Sequence, residues 1–279
     1  METTELAPKR GITETGLKWI ALVTMVLDHI HYFFGFTGVI PEWFSMAGRI
    51  SAPLFMFCLV EGFTHTHSRK KYFLKVYAIS AAMSLLYYLM AFGGLPVRPD
   101  GFFPANGMMT TFVILMVVWQ GIDWLGQKRL LPGLAAVLLP LAWPFAATLL
   151  VAVFPALSGL PGFVCYSVVP LWGMTGDSSW PVLVMGLVLY LFRKRRGVQE
   201  AAFTVYYLLY GVVYMGLMAS NMPGFVWTQL FTVYYEIYGV LAAPLMLWYN
   251  GRRGGGHKLL FYAFYPAHLA AIALAGNIL

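Results

Sequence analysis

Charge is scarce in this chain. Of its 279 residues, 10% are Asp, Glu, Lys or Arg, while 60% are hydrophobic and 17% aromatic. A soluble domain carries about a quarter charged residues, so the composition excludes a solvated globule and requires an integral membrane protein. Cysteine is scarcer still. Cys58 and Cys165 are the only two, and Cys58 lies within a hydrophobic run. That excludes a disulfide framework and any cysteine-spaced metal motif, and no metal is expected. The chain also lacks an internal repeat and a polar stretch long enough for a separate soluble domain. The net charge of +7 is read as anchoring at the cytoplasmic face of the membrane, with no nucleic-acid partner expected.

What is present is a series of hydrophobic runs. The first follows Lys9, Arg10 and Lys18, contains Asp28 and His29, and has no small-residue cleavage pattern. It reads as a retained span, not a signal peptide. Nine runs approach the ~20 residues that a bilayer demands, near 17–39, 46–67, 72–93, 108–126, 130–154, 178–193, 199–220, 227–249 and 258–278. The expected fold is all-α: a polytopic helical bundle of about nine spans. Residues 1–16 form a polar arm ahead of a single transmembrane domain, 17–279. The stretch 155–177 is apolar but interrupted by Pro155, Pro161 and Pro170, and reads as broken or re-entrant. With the N-terminus inside, nine spans put sixteen of the eighteen Lys and Arg residues on the cytoplasmic side, leaving Arg49 and Arg98 outside. A tenth span at 155–177 would carry the cluster Arg193–Arg196 across the membrane. The chain is therefore expected to cross a membrane many times, with its basic loops on the cytoplasmic side.

Ionisable groups within a bilayer cost several kcal/mol each unless paired or wetted, so their positions indicate function. At ~1.5 Å per residue, His29 (11 residues beyond Lys18) and His268 (10 beyond Lys258) each lie about 15 to 17 Å into a core ~30 Å thick. Histidines from opposite ends of the chain thus share the midplane. Glu61 and His65 are one helical turn apart on a common face and can pair. Asp28 and His29 are adjacent and point about 100° apart, so Asp28 does not orient its neighbour's ring. His29 needs a partner from another helix. His268, Glu61 or a tyrosine of the run Tyr234, Tyr235 and Tyr238 fits that role, and Glu236 is a candidate for the outer half of the same cavity. A plainer reading makes His29 and His268 interhelical hydrogen-bonding groups and Arg69, Lys70 and Lys71 topology anchors.

The strings LKWIALVTMVLDHI, GRISAPLFMFCLVEGFTHT followed by SRKKY, NGMMT at 106–110, and FYAFYPAHL near the C-terminus resemble the TraX family, typified by the F-pilin acetylase of conjugative plasmids. The likeness is good over the first 110 residues and the last 20, and between about 112 and 257 it is one of hydropathy. TraX proteins are similar in turn to other membrane acyltransferases that use an embedded histidine and cytosolic acetyl-CoA. The resemblance implies an acetyltransferase taking acetyl-CoA as acyl donor and the N-terminal amine of a peptide or protein as acceptor. It implies catalytic roles for Asp28, His29, Glu61, His65 and His268. It further implies donor-binding roles for Arg49, Arg69, Lys70, Lys71, Asn106 and Thr110. Two other classes remain open: an O-acyltransferase acting on a glycan or lipid headgroup, and a proton-coupled transporter with the same titratable groups as a relay. Against transport stand the odd number of spans and the missing inverted repeat.

The topology yields a direct test. A reporter inserted at Arg195 should read as cytoplasmic and one at the C-terminus as external; the reverse result at Arg195 would overturn the nine-span count.

Overall fold

The computed structural model of the protein describes residues 10–92, 102, 107–155, 164, 168–173 and 176–276. Most of 155–177, as well as Arg98 and Asn106, lies outside the described residues. Helix α1 (Glu14–Phe34) opens with Thr13, whose side chain accepts from the Gly16 amide and so caps one of the four unsatisfied N–H groups of a helix start. A short α2 (Trp43–Gly48) leads into α3 (Ser51–His65), followed by α4 (Arg69–Phe92), α5 (Met108–Gly126) and α6 (Leu130–Val153). Then come α7 (Trp180–Leu191) and α8 (Arg196–Leu208), the latter running through a π-helical turn, Leu209–Tyr214, into α9 (Met215–Ala219). The chain ends in α10 (Ala242–Leu247) and α11 (Lys258–Gly276).

Among the described residues, six segments are long and apolar enough to cross a membrane: Glu14–Thr37, Trp43–His65, Arg69–Met90, Met108–Gly126, Leu130–Val153 and Arg196–Ala219. Three shorter apolar helices, Trp180–Leu191, Glu236–Leu247 and Ala263–Ile272, fall within the other three expected runs. The protein is an all-α polytopic membrane bundle. One run departs from expectation. The segment 227–249 is not a continuous helix: 3-10 turns at Trp227–Leu230 and Glu236–Leu241 precede α10. Irregular backbone of this kind survives at membrane depth where it lines a cavity or is covered by protein.

Helices α3 and α5 form the centre, and their buried side chains pack with α7: Phe63 meets Trp119 at a ring distance of 5.7 Å, and Trp119 stacks on Tyr190 at 4.8 Å. Helix α6 sits at the periphery against α5. A Cβ at Gly121 would lie 2.9 Å from the Gly133 carbonyl, and one at Gly133 would lie 2.7 Å from Leu125, so the pair of glycines permits close helix contact. The opposite face of α6 is apolar and exposed, as a lipid-facing helix requires.

The basic end of the bundle is closed by ion pairs. Asp123 accepts from Arg69 at 2.7 Å, Arg193 at 2.8 Å and the Tyr190 hydroxyl at 2.8 Å, so one carboxylate joins the start of α4, the end of α5 and the end of α7. Arg69 also bonds Gln120 at 3.0 Å. Nearby, Glu61 pairs with Arg196 at 3.1 Å, with His65 at 3.9 Å. Asp123→Ala would leave two guanidinium groups facing each other in a half-buried site. We expect a loss of about 3 kcal/mol, at the low end for breaking a buried ion pair, read as a lower melting temperature in detergent. An unchanged melting temperature would show that the cluster does not hold the helices together.

Candidate functional site

Two histidines 239 positions apart meet inside the bundle: His29 Nδ1 lies 2.7 Å from His268 Nε2, with ring planes 2° apart. Both residues are buried. They are brought together by packing of α1, α4 and α11, where Met25, Phe33, Met83, Tyr87, Tyr265 and Leu269 form a second apolar cluster. The hydrogen bonds fix the tautomers. His268 Nδ1 is 2.8 Å from the Phe264 carbonyl, which only accepts, so that nitrogen carries a proton. In a neutral ring Nε2 is then the acceptor, and it takes the Nδ1 proton of His29. The basic nitrogen of His29 is therefore Nε2.

His29 lines a cavity of about 270 Å³; His268 is not among its lining residues and stands behind. Its lining is largely apolar, with Met25, Phe55, Phe112, Phe261 and Phe264 among it. It also carries Asp28, Arg49, Asp177 and Glu236. Arg49 donates to Asp28 Oδ1 at 3.0 Å and to Glu236 Oε1 at 3.0 Å, with the Tyr235 ring 5.6 Å away. Three carboxyl groups thus share the cavity with one guanidinium. Gly48 makes the Asp28 contact possible: a Cβ there would overlap the Asp28 side chain, lying 2.6 Å from Cγ. Ser51 donates to the Ala21 carbonyl at 2.8 Å and fixes α3 against α1 beside the cavity.

The expected site residues separate into two groups. Asp28, His29 and Arg49 line the cavity, with His268 directly behind His29. Glu61 and His65 do not line it; they belong to the ion-paired basic end with Arg196. Arg69 is engaged by Asp123, and Lys70 and Lys71 are exposed at that end. Thr110 is off the cavity, its hydroxyl 3.5 Å from that of Ser80. Among the partners open to His29, the structure selects His268. Sequence reasoning missed Asp177, Tyr206, Tyr207 and Tyr210, all on the lining. Asp177 sits at the end of the proline-broken stretch, and the tyrosines lie in the hydrophobic run 199–220. Among the described residues, no group of three or more His, Cys, Asp or Glu side chains is arranged to hold a metal ion.

A bundle of apolar helices enclosing a buried histidine relay and a charged cavity defines a multi-pass membrane protein with an embedded polar site. The sequence model of the TraX family, described as TraX protein, matches residues 13–160 and 163–275. The chain belongs to the TraX family. The match runs through the middle of the chain, where the motifs themselves fade. The chain is also similar to the "Probable fimbrial assembly protein FimC, serogroup H1" of Dichelobacter nodosus, 27% identical over 265 residues that cover 93% of each chain. No solved structure matches it.

The tautomer assignment is testable by ¹⁵N NMR of histidine-labelled protein. Wild type should show His29 protonated at Nδ1 alone, His268→Leu a mixture of both tautomers, and His268→Gln, which retains an acceptor, a return toward the single form. A single Nδ1–H form in the leucine variant would refute the relay.

Proposed function

We propose that the protein is a membrane-embedded acetyltransferase that moves an acetyl group from cytosolic acetyl-CoA to the N-terminal amine of a peptide or protein, with His29 as general base. The observation that carries this reading is the hydrogen-bond chain from the Phe264 carbonyl through His268 to His29, which directs a basic Nε2 on a cavity-lining ring. As the amine nitrogen attacks the thioester carbonyl, Nε2 takes its proton. When the carbon–sulfur bond breaks, that proton passes to the departing thiolate, so that the products are the amide and free CoA thiol. The imidazolium formed in between is shared along the relay with His268.

A donor to the developing oxyanion is also needed. The Tyr206 hydroxyl is held by the Pro181 carbonyl at 2.6 Å, whereas the Tyr207 hydroxyl rests on the weak acceptor Met185 Sδ at 3.5 Å. Tyr207 is the better candidate. Three carboxyl groups around Arg49 favour an acceptor that arrives as an ammonium ion and gives one proton to a carboxylate there before the free amine attacks. An α-amino group with a pKa of about 7.7 to 8.0 is roughly 10 to 15% free base at pH 7, so it asks less of the base than a hydroxyl does. That balance favours N-acetylation over O-acylation. A pilin-type polypeptide is the proposed acceptor, in keeping with the fimbrial description of the Dichelobacter relative. The site fits best in the bacterial cytoplasmic membrane, where acetyl-CoA reaches the basic end.

Purified protein with labelled acetyl-CoA and peptides bearing an open N-terminus should yield N-acetyl peptide, and His29→Ala should lower the rate by about 10²- to 10⁴-fold, the usual contribution of a general base. Label that never leaves CoA, or a fully active His29→Ala, would refute the mechanism.

A further inference from the structure

Acetyl-CoA carries several phosphates, and its binding calls for cations that the protein has not already paired. Arg69 and Arg193 bond Asp123, Arg196 bonds Glu61, and Lys18 bonds Glu14 at 2.5 Å. The loop between α10 and α11 differs. It reads NGRRGGGH over residues 250–257, and all residues from Gly251 to His257 are exposed. Among the described residues, Arg252 and Arg253 have no acidic partner, and the amides of Arg253, Gly254, Gly255 and Gly256 have no protein acceptor. Exposed arginines alone would describe any cytoplasmic anchor. Two further observations separate this loop from one.

First, it is built. The carbonyls of Arg252 and Arg253 accept from the Glu14 and Thr15 amides at 2.9 and 3.0 Å. The Thr15 hydroxyl bonds the carbonyls of Arg253 and Gly255 at 2.8 and 2.9 Å. Asn250 closes the other side, donating from its side chain to the Gly11 carbonyl at 3.1 Å and from its amide to the Ile12 carbonyl at 2.9 Å. Gly251 and Gly254 adopt φ of +77° and +78°, the left-handed region that glycine reaches without strain. The turn therefore aims its carbonyls at the start of α1 and its unbonded amides away from it.

Second, the loop leads to the cavity. His257 and Phe261 both pack edge-on against Trp19, at ring distances of 6.3 and 5.4 Å. Phe261 and Leu22 are lining residues of the cavity that holds His29. Thr15 and His29 are 14 residues apart on one helix, about 21 Å at 1.5 Å per residue, a span that an extended pantetheine arm crosses.

Building on the acetyltransferase reading, we propose that the 250–257 loop is the docking site for the phosphate groups of the acyl donor, with Arg252 and Arg253 as side-chain ligands and the triglycine amides as backbone ligands. The phosphates sit at the basic end and the thioester reaches His29 along the seam between α1 and α11. Arginine supplies a forked, permanently charged donor set suited to phosphate, and glycine lets the backbone approach it.

The test compares acetyl-CoA with S-acetylpantetheine, which has the same thioester and no phosphate, on protein in uncharged detergent. For the double variant Arg252→Gln/Arg253→Gln, KM for acetyl-CoA should rise roughly tenfold or more, the size of one lost hydrogen bond to a charged group, with kcat and the KM for acetylpantetheine unchanged. Gly255→Glu, which keeps both arginines and so the topology signal, should raise the same KM. Unchanged KM values in both variants would overturn the proposal. So would variants that lose affinity only for phosphatidylglycerol nanodiscs, since the loop would then serve a lipid headgroup. Calorimetric binding of CoA without acceptor separates this proposal from the activity itself. Loop-dependent CoA binding without any acetyl transfer would refute the reaction and retain the site.

Discussion

The hydrogen bond between His29 and His268 joins the first and last helices of the bundle, and much of the site depends on it. Inside a hydrocarbon layer a polar group cannot turn to water, so each one has to find its partner within the protein. Apolar side chains give no such direction: a leucine meets lipid and another helix on nearly equal terms. The polar pairs therefore decide which helices lie side by side. His29 with His268 sets α1 against α11, Arg49 with Asp28 and Glu236 ties α1 and the end of α2 to the broken segment ahead of α10, and Asp123 gathers α4, α5 and α7.

These sets divide the molecule into two regions with different work. At the basic end, Asp123 and Glu61 are held by arginines, and those arginines, Arg69, Arg193 and Arg196, lie over the rings of Phe63, Tyr190 and Phe57 at 4.5, 3.6 and 4.4 Å. Such cation–π contacts, worth about 0.5 to 2 kcal/mol, suit charges that must stay where they are. Around the cavity the balance differs, since three carboxyl groups face one guanidinium and the hydrogen-bonded ring of His29.

Irregular backbone concentrates at that cavity. The π-helical turn Leu209–Tyr214 begins beside Tyr206, Tyr207 and Tyr210, and the 3-10 turn Glu236–Leu241 supplies Glu236. The two pack tightly: a Cβ at Gly211 would lie 2.8 Å from the Ile237 Cα. A π-turn shifts the side chains that follow by part of a turn and is common at functional sites. Here Tyr206 and Tyr207 come just before the turn and Tyr210 lies within it, and all three line the one small space.

Much of this was legible in the residues alone. The hydropathy runs and the asymmetry of lysine and arginine establish a many-span helical membrane protein, because helix length and bilayer thickness share one scale. Depth arithmetic brings His29 and His268 to a common plane, since distance along a helix is proportional to residue number. The angle of about 100° between neighbours on a helix sets Asp28 aside as the group that orients His29. Only the tertiary structure decided lateral position. Residues at equal depth can lie on opposite sides of a bundle, and no one-dimensional pattern reports that. So Glu61, read as part of the same site as His29, pairs with His65 and Arg196 away from the cavity, and Arg69 bonds Asp123. Asp177 reaches the cavity from a 3-10 turn and Tyr210 from a π-helical turn, backbone breaks that periodicity does not reveal. Along the membrane normal the sequence is a ruler; across the membrane plane, side-chain partners determine the arrangement, and they act between residues as far apart as 239 positions.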